Sequence, residues 1–86
     1  MDVLEEIIAS AERKCVQRGN RLTPRRKQVL SALVCSKNAM SAYELADFCN
    51  KEIADPMPTM SVYRILEFLQ RERLVHKLET ENKYIA

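Results

Sequence analysis

Apolar residues recur at helical spacing in four segments of this 86-residue chain. A helix with one buried face repeats its apolar residues every three or four positions. The segments are residues 2–18, a stretch that begins at Pro24, residues 42–53 and residues 59–72. Gly19 is suited to end the first helix, because glycine readily adopts the left-handed conformation found there. The predicted N-caps of the other three helices are Thr23, Ser41 and Thr59, whose side-chain oxygens can accept a backbone N–H.

From Leu74 the spacing shifts toward a period of two, in which one set of residues alternates with another: Val75, Lys77 and Glu79 with Leu74, His76 and Leu78. Alternation with a period of two predicts a strand, residues 80–82 suit a turn, and residues 83–86 suit a returning strand. The hairpin directly follows the third and fourth helices. This order predicts a mainly α domain with a small antiparallel β-hairpin: a winged helix-turn-helix of four helices plus a wing, occupying residues 1–86.

The same periodicity assigns the two faces of the third and fourth helices. The third is expected to bury Leu45, Phe48 and Cys49. In the fourth, four apolar residues cover about 100° of the helix surface and form the predicted core side: Val62, Ile65, Leu66 and Leu69. The opposite side carries Met60, Arg64, Glu67 and Arg71, with Tyr63 and Phe68 on the flanks.

Composition limits the class of protein. With 47% hydrophobic and 30% charged residues, the chain is typical of one globular domain and too apolar for a disordered one. Its apolar runs are much shorter than the ~20 residues of a membrane span. Its first six residues contain three acids and no base, whereas a secretory signal begins with basic residues. A cytoplasmic protein without a membrane partner is expected. The three cysteines show no CxxC spacing and are predicted to be buried free thiols: Cys15, Cys35 and Cys49.

Basic residues are concentrated in one block. Residues 13–43 contain eight Lys or Arg and no acid, whereas the rest of the chain holds six basic and twelve acidic residues. Arg25, Arg26 and Lys27 occupy the first turn of the second helix, where the helix dipole disfavours cations. A surface that faces phosphates explains this placement. A solvated helix face is the alternative.

Three side chains of the predicted helix-turn-helix are suited to contact DNA bases. The guanidinium of Arg64 can donate two hydrogen bonds to a guanine edge. Tyr43 or Tyr63 can pack on a thymine methyl or donate to a phosphate. The structural alternatives are a surface ion pair between Arg64 and Glu67, a half-buried ring for Tyr43 and a core-edge ring for Tyr63.

Four sequence blocks, taken together and in this order, resemble the ferric uptake regulator family and its zinc uptake regulator branch most closely. They are RLTPRR at 21–26, SAYEL at 41–45, SVYRIL at 61–66 and LVHK at 74–77. The resemblance runs from about residue 4 to residue 86. It implies the DNA-binding domain of a dimeric, zinc-responsive transcriptional repressor that binds a palindromic operator of double-stranded DNA through the major groove. Ser61 stands where the family usually has Thr, which retains the hydroxyl.

The resemblance also implies roles for individual residues. Tyr43, Arg64 and Tyr63 match base-contacting positions of the family. The residues that match the segment facing the DNA backbone are Arg21, Arg25, Arg26 and Ser61. His76 matches a histidine that helps to bind regulatory zinc in the intact proteins. The family's C-terminal metal-binding and dimerisation domain has no counterpart in these 86 residues, so the chain is expected to be a monomer with no complete zinc site, whereas the intact protein would be a homodimer that binds zinc.

Two other classes of function are alternatives to DNA binding. A winged helix can instead be a protein–protein interaction module, with Met60 and Phe68 as its anchors. An enzyme is not expected, because the chain has one histidine far in sequence from each cysteine, no glycine-rich phosphate loop and no pair of carboxylates at catalytic spacing.

Overall fold

A computed structural model describes residues 3–36, 38–51 and 56–86. The helices are α1 (Val3–Gln17), α2 (Pro24–Cys35), α3 (Ala42–Asn50) and α4 (Thr59–Arg71), and the strands are β1 (His76–Leu78) and β2 (Lys83–Ile85). This order confirms the mainly α fold with a small antiparallel hairpin. Within the described residues, no helix has the length and apolar character needed to cross a bilayer.

The end of α1 and the beginnings of α2 and α3 follow the sequence prediction. Gly19 has φ +77° after α1, and the N–H of the next residue bonds the carbonyl of Cys15 across 2.8 Å, which closes the helix in a Schellman motif. The Thr23 hydroxyl accepts the Arg26 N–H and caps α2. Ser41 and Glu44 form a reciprocal capping box at the start of α3.

The connection between α3 and α4 differs from the prediction. The N-cap of α4 is Pro58, which makes no side-chain hydrogen bond, and Thr59 is already the first helical residue. Helix α3 ends at Asn50 and not at residue 53, and residues 52–55 lie outside the described part of the chain. Asn50 closes the connection by bonding both backbone groups of Met57, with donor–acceptor distances of 2.8 Å each. These bonds replace a helical continuation, because Asn readily bonds nearby backbone groups outside a helix.

Helix α2 lies at the centre of the fold and packs against α1, α3 and α4. The core joins residues of all four helices with Leu22, Met57, Val75 and Tyr84. Two predicted positions are wrong. Phe48 is 51% exposed, because the buried stripe of α3 falls on residues 42, 45, 46 and 49. Cys35 is exposed at the last residue of α2, whereas Cys15 and Cys49 are buried as expected.

The hairpin gains a third partner that the sequence did not indicate. Strands β1 and β2 pair antiparallel with Lys77 opposite Tyr84. Tyr84 also pairs with Met40 in an isolated antiparallel bridge, in which each residue donates its N–H to the other's carbonyl, at 3.1 and 2.8 Å. Because Met40 immediately precedes the N-cap of α3, this bridge attaches the hairpin to the start of the helix-turn-helix.

Candidate nucleic-acid interface

The outer face of α4 is exposed as its periodicity predicts. Arg64, Glu67 and Arg71 are exposed, and Met60 is 64% exposed. The opposite side supplies Val62, Leu66 and Leu69 to the core. Packing against α2 and α3 therefore fixes which side of α4 faces outward. An arginine held on such a face can contact a base edge in the major groove.

Tyr43 lies on the other helix of the pair, at the second residue of α3, and is 70% exposed. The first turn that carries it is held in two ways. The capping box fixes its backbone, and Lys83 of β2 lies 3.8 Å from the Glu44 carboxylate. The backbone hydrogen bond from Ser41, more than the nearby Lys83, lowers the pKa of Glu44. The Glu44 carboxylate that completes the cap therefore stays ionised at a lower pH than an unperturbed glutamate would.

The two remaining α4 residues of the predicted site are less accessible. Tyr63 is half-buried and packs against the core, so only part of its side chain is accessible to a ligand. Ser61 is also half-buried, in the first turn of α4, and donates its N–H to the Pro58 carbonyl at 2.9 Å. The structure therefore brings Tyr43 and Arg64 to the surface more fully than it does Tyr63 and Ser61.

A basic segment, defined here as residues 18–26, lies against the second half of α4. The guanidinium of Arg26 stacks on the Phe68 ring, 3.7 Å from its centroid, and donates to the Arg21 carbonyl at 2.7 Å. This stacking covers Phe68, which is only 6% exposed and not on an open flank as predicted. Phe68 follows Arg64 by four residues, so the two are neighbours on one helix face. Arg26 is thereby placed about one helical turn from Arg64.

Glu72 makes a second connection between the basic segment and α4. Its side chain is buried, and its two carboxylate oxygens accept hydrogen bonds from Arg18 Nε at 3.0 Å and Asn20 Nδ2 at 3.2 Å. Burial, together with the negative charge of Glu72 and a hydrogen bond to it, raises the pKa of the Cys15 thiol. Cys15 is therefore a neutral part of this packed junction.

Sequence reasoning missed Glu72, Phe68 and Asn50 as residues that shape the surface. A signal for Glu72 was present, because it continues the apolar stripe of α4 three residues after Leu69. An acid on a buried stripe needs a partner, and the chain's basic block was the only large supply of cations. No comparable signal identified Phe68, whose burial depends on the stacking of Arg26 from another helix.

The described residues do not form a complete zinc site. They contain no group of three or more His, Cys, Asp or Glu side chains that could hold a metal ion. His76 is exposed on β1 and pairs with Ile85. Cys15 is fully buried, and its thiol is hydrogen-bonded to the Glu72 carboxylate. Zinc needs three or four ligands around one point, which these residues do not provide.

The chain is similar to known regulators along nearly its whole length. Residues 17–85 match the model of the ferric uptake regulator family. The zinc uptake regulation protein of Escherichia coli (strain K12) is 41% identical over 81 residues, which are 94% of this chain and 47% of that protein. The chain thus spans about half the length of the curated relatives it matches.

Solved structures agree with this match. A zinc uptake regulator complexed with zinc and DNA has a TM-score of 0.91 and 38% identity, covering 99% of this chain and 56% of that one. The Helicobacter pylori ferric uptake regulator Fur has a TM-score of 0.81 and 28% identity, covering 98% and 57%. On the family match and the identity to these relatives, the chain belongs to the ferric uptake regulator family.

Proposed function

We propose that residues 1–86 are a sequence-specific DNA-binding domain, and that it serves in a zinc-responsive transcriptional repressor. The single observation that carries this proposal is the placement of exposed Arg64 one helical turn from the Arg26–Phe68 stack. Base reading needs an exposed long side chain on a rigid helix, and register on the duplex needs cations beside it. The similarity to a zinc uptake regulator complexed with zinc and DNA supports the same function.

The proposed contacts divide into two groups. Arg64, Tyr43 and Tyr63 are assigned to base edges in the major groove. The residues assigned to the phosphate backbone are Arg21, Arg25, Arg26 and Ser61. The first group should govern which sequence is bound, whereas the second should contribute affinity that depends on salt and hardly on sequence.

The proposed effector and assembly concern a longer protein. A palindromic operator requires two domains at a fixed spacing, so we propose a homodimer, with this chain alone as a monomer that reads one half-site. His76 is proposed as one zinc ligand of the longer protein, where further ligands would complete the site. We place the protein in the cytoplasm, where DNA is available and its free thiols stay reduced.

The alternative function, a protein–protein interaction module, loses one of its two anchors. Phe68 is buried under Arg26 and cannot insert into a partner. Met60 stays exposed, but a single methionine is a weak anchor. No comparable loss affects the DNA-binding reading, because Arg64 and Tyr43 are both exposed.

The test is binding to duplex DNA over a range of salt. A palindromic, AT-rich duplex selected from a randomised pool is titrated against its scrambled version between 50 and 200 mM salt. Specific binding should exceed binding to the scrambled duplex, and log K should fall linearly with log salt. Equal affinity for both duplexes, or affinity independent of salt, would refute the proposal.

Two substitutions of Arg64 separate base reading from charge. Arg64→Ala should cost about 1–3 kcal/mol on the selected duplex and relax discrimination at one base pair. Arg64→Lys keeps the charge but loses the two-pronged donor, so it should retain the salt dependence and lose most of the discrimination. If Arg64→Lys discriminates as well as the parent chain, Arg64 serves only as a charge.

A further inference from the structure

We infer that Glu72, together with Phe68, is a positioning residue for DNA binding: it holds the basic segment against α4 at the distance the two groups of contacts require. The inference rests on the DNA-binding function proposed above and adds residues that touch no DNA. It means that the buried Glu72 carboxylate strengthens DNA binding, although its negative charge by itself would weaken the binding of a polyanion.

The basic segment is attached to α4 through side-chain contacts. Most of the segment connects α1 to α2, and the left-handed conformation of Gly19 prevents α1 from continuing into it. Two side-chain contacts join this segment to α4. The carboxylate of Glu72 receives Arg18 and Asn20 at one end, and the Phe68 ring receives Arg26 at the other.

These contacts position the cations of the basic segment. Arg26 also donates to the Arg21 carbonyl. The loop backbone at Arg21 is therefore held by the same guanidinium that stacks on α4. The phosphate-facing cations are therefore arranged relative to the helix that carries Arg64, and not only relative to α2. A cation held in place before binding loses less side-chain entropy on meeting a phosphate.

The negative charge of Glu72 and a positioning role predict opposite effects on DNA binding. Glu72 has 4% of its side chain exposed and accepts hydrogen bonds from Arg18 and Asn20, in addition to the one from the Cys15 thiol. A carboxylate that is buried and paired on both oxygens cannot be explained as a solubilising surface charge. Removing it makes the chain one unit more positive, which by charge alone strengthens DNA binding. A positioning role predicts the reverse.

The experiment compares Glu72→Gln with Glu81→Gln in the 86-residue chain. Glu81 is exposed in the hairpin turn, so its substitution removes the same charge and leaves the basic segment in place. Both are titrated with the selected duplex and its scrambled version between 50 and 200 mM salt. Amide hydrogen exchange of residues 18–26 is followed without DNA.

The expected results differ in sign between the two variants. Glu81→Gln should bind both duplexes at least as tightly as the parent, with an unchanged salt slope. Glu72→Gln should bind more weakly, and its loss of affinity over this salt range should shrink about threefold for each phosphate contact given up. Its ratio of specific to scrambled binding should stay near the parent value. Amides of residues 18–26 should exchange faster, and those of α4 should not.

Asn20→Ala guards against a variant that simply unfolds. Asn20 is exposed, and this change alters no charge but removes one of the hydrogen bonds to Glu72. It should shift the salt slope and the exchange rates in the same direction as Glu72→Gln, to a smaller extent. If Glu72→Gln lacks native circular dichroism, Asn20→Ala decides the matter.

The possible failures are distinguishable. If the parent binds selectively but Glu72→Gln and Asn20→Ala match Glu81→Gln in affinity, slope and exchange, the inference is wrong and the proposed function stands. Tighter binding by Glu72→Gln also overturns the inference, because Arg18 is then merely released toward phosphate. If the parent shows no salt-dependent or selective binding, the proposed function and the inference fail together.

Discussion

Asn50→Ala is expected to destabilise the chain more than its single deleted side chain suggests. Asn50 Nδ2 donates to the Met57 carbonyl, and Asn50 Oδ1 accepts the Met57 N–H. Met57 is buried, so after the substitution two backbone groups lose their partners away from solvent. Each such group costs about 1–3 kcal/mol. Partial rehydration of the turn brings the sum to about 2–4 kcal/mol.

Alanine has a compensating advantage at this position, because Asn50 is the last residue of α3. Its higher helix propensity offsets about 0.5 kcal/mol, which leaves a net loss of about 1.5–3.5 kcal/mol. A chain of this length has a total stability of about 4–13 kcal/mol at typical values per residue. The substitution should therefore remove a large share of the folding free energy.

Urea unfolding followed by circular dichroism at 222 nm measures the effect. The midpoint for Asn50→Ala should fall while the slope of the transition stays unchanged, since the folded surface is nearly the same. Gln17→Ala removes an exposed amide at the end of α1 and should change stability by less than about 0.5 kcal/mol. A loss for Asn50→Ala no larger than that of Gln17→Ala would show that the two bonds do not hold the turn.

Three further predictions follow from backbone conformation and burial. Arg73 has φ 60° at the end of α4, where glycine has no steric cost, so Arg73→Gly should raise the free energy of unfolding by about 0.5–1 kcal/mol in the same urea assay; a loss of stability would contradict this reading. In the native chain Cys35 should react with a thiol reagent first, and Cys15 and Cys49 only on unfolding; three equivalents released at one rate would be inconsistent with the structure. Burial raises the pKa of Cys15, Cys49 and Tyr84, so their contribution to stability is complete below the unfolded pKa values, near pH 8.5 for the thiols, and is lost as pH rises through the higher folded values. The urea midpoint should accordingly fall between pH 8 and pH 10.5, and a constant midpoint would argue against buried neutral groups.

The sequence predicted those features that depend on residues close together along the chain. The four helices, the Ser41 capping box and the Gly19 stop depend on residues within a few positions of each other. The outward position of Arg64 followed from the stripe of Val62, Leu66 and Leu69 on the other side of the same helix. For such features, spacing along one element carries enough information.

Features that depend on contacts between elements were not predictable in the same way. Thr59 has the chemistry of an N-cap, but Pro58 with its extended backbone takes that position because the turn is closed by Asn50 instead. Phe68 is buried because Arg26 of α2 covers it, and no spacing within α4 reveals this. The bridge from Met40 to Tyr84 joins residues 44 positions apart, beyond any local signal.

That bridge connects the hairpin to the helix-turn-helix through backbone hydrogen bonds. Tyr84 is held to Met40 by two backbone hydrogen bonds, and Met40 adjoins the cap that sets the direction of α3. Lys83, beside Tyr84, also lies near Glu44. A displacement of β2 is therefore expected to move the first turn of α3, which carries Tyr43. The hairpin is thus coupled directly to a residue that we propose to contact DNA bases.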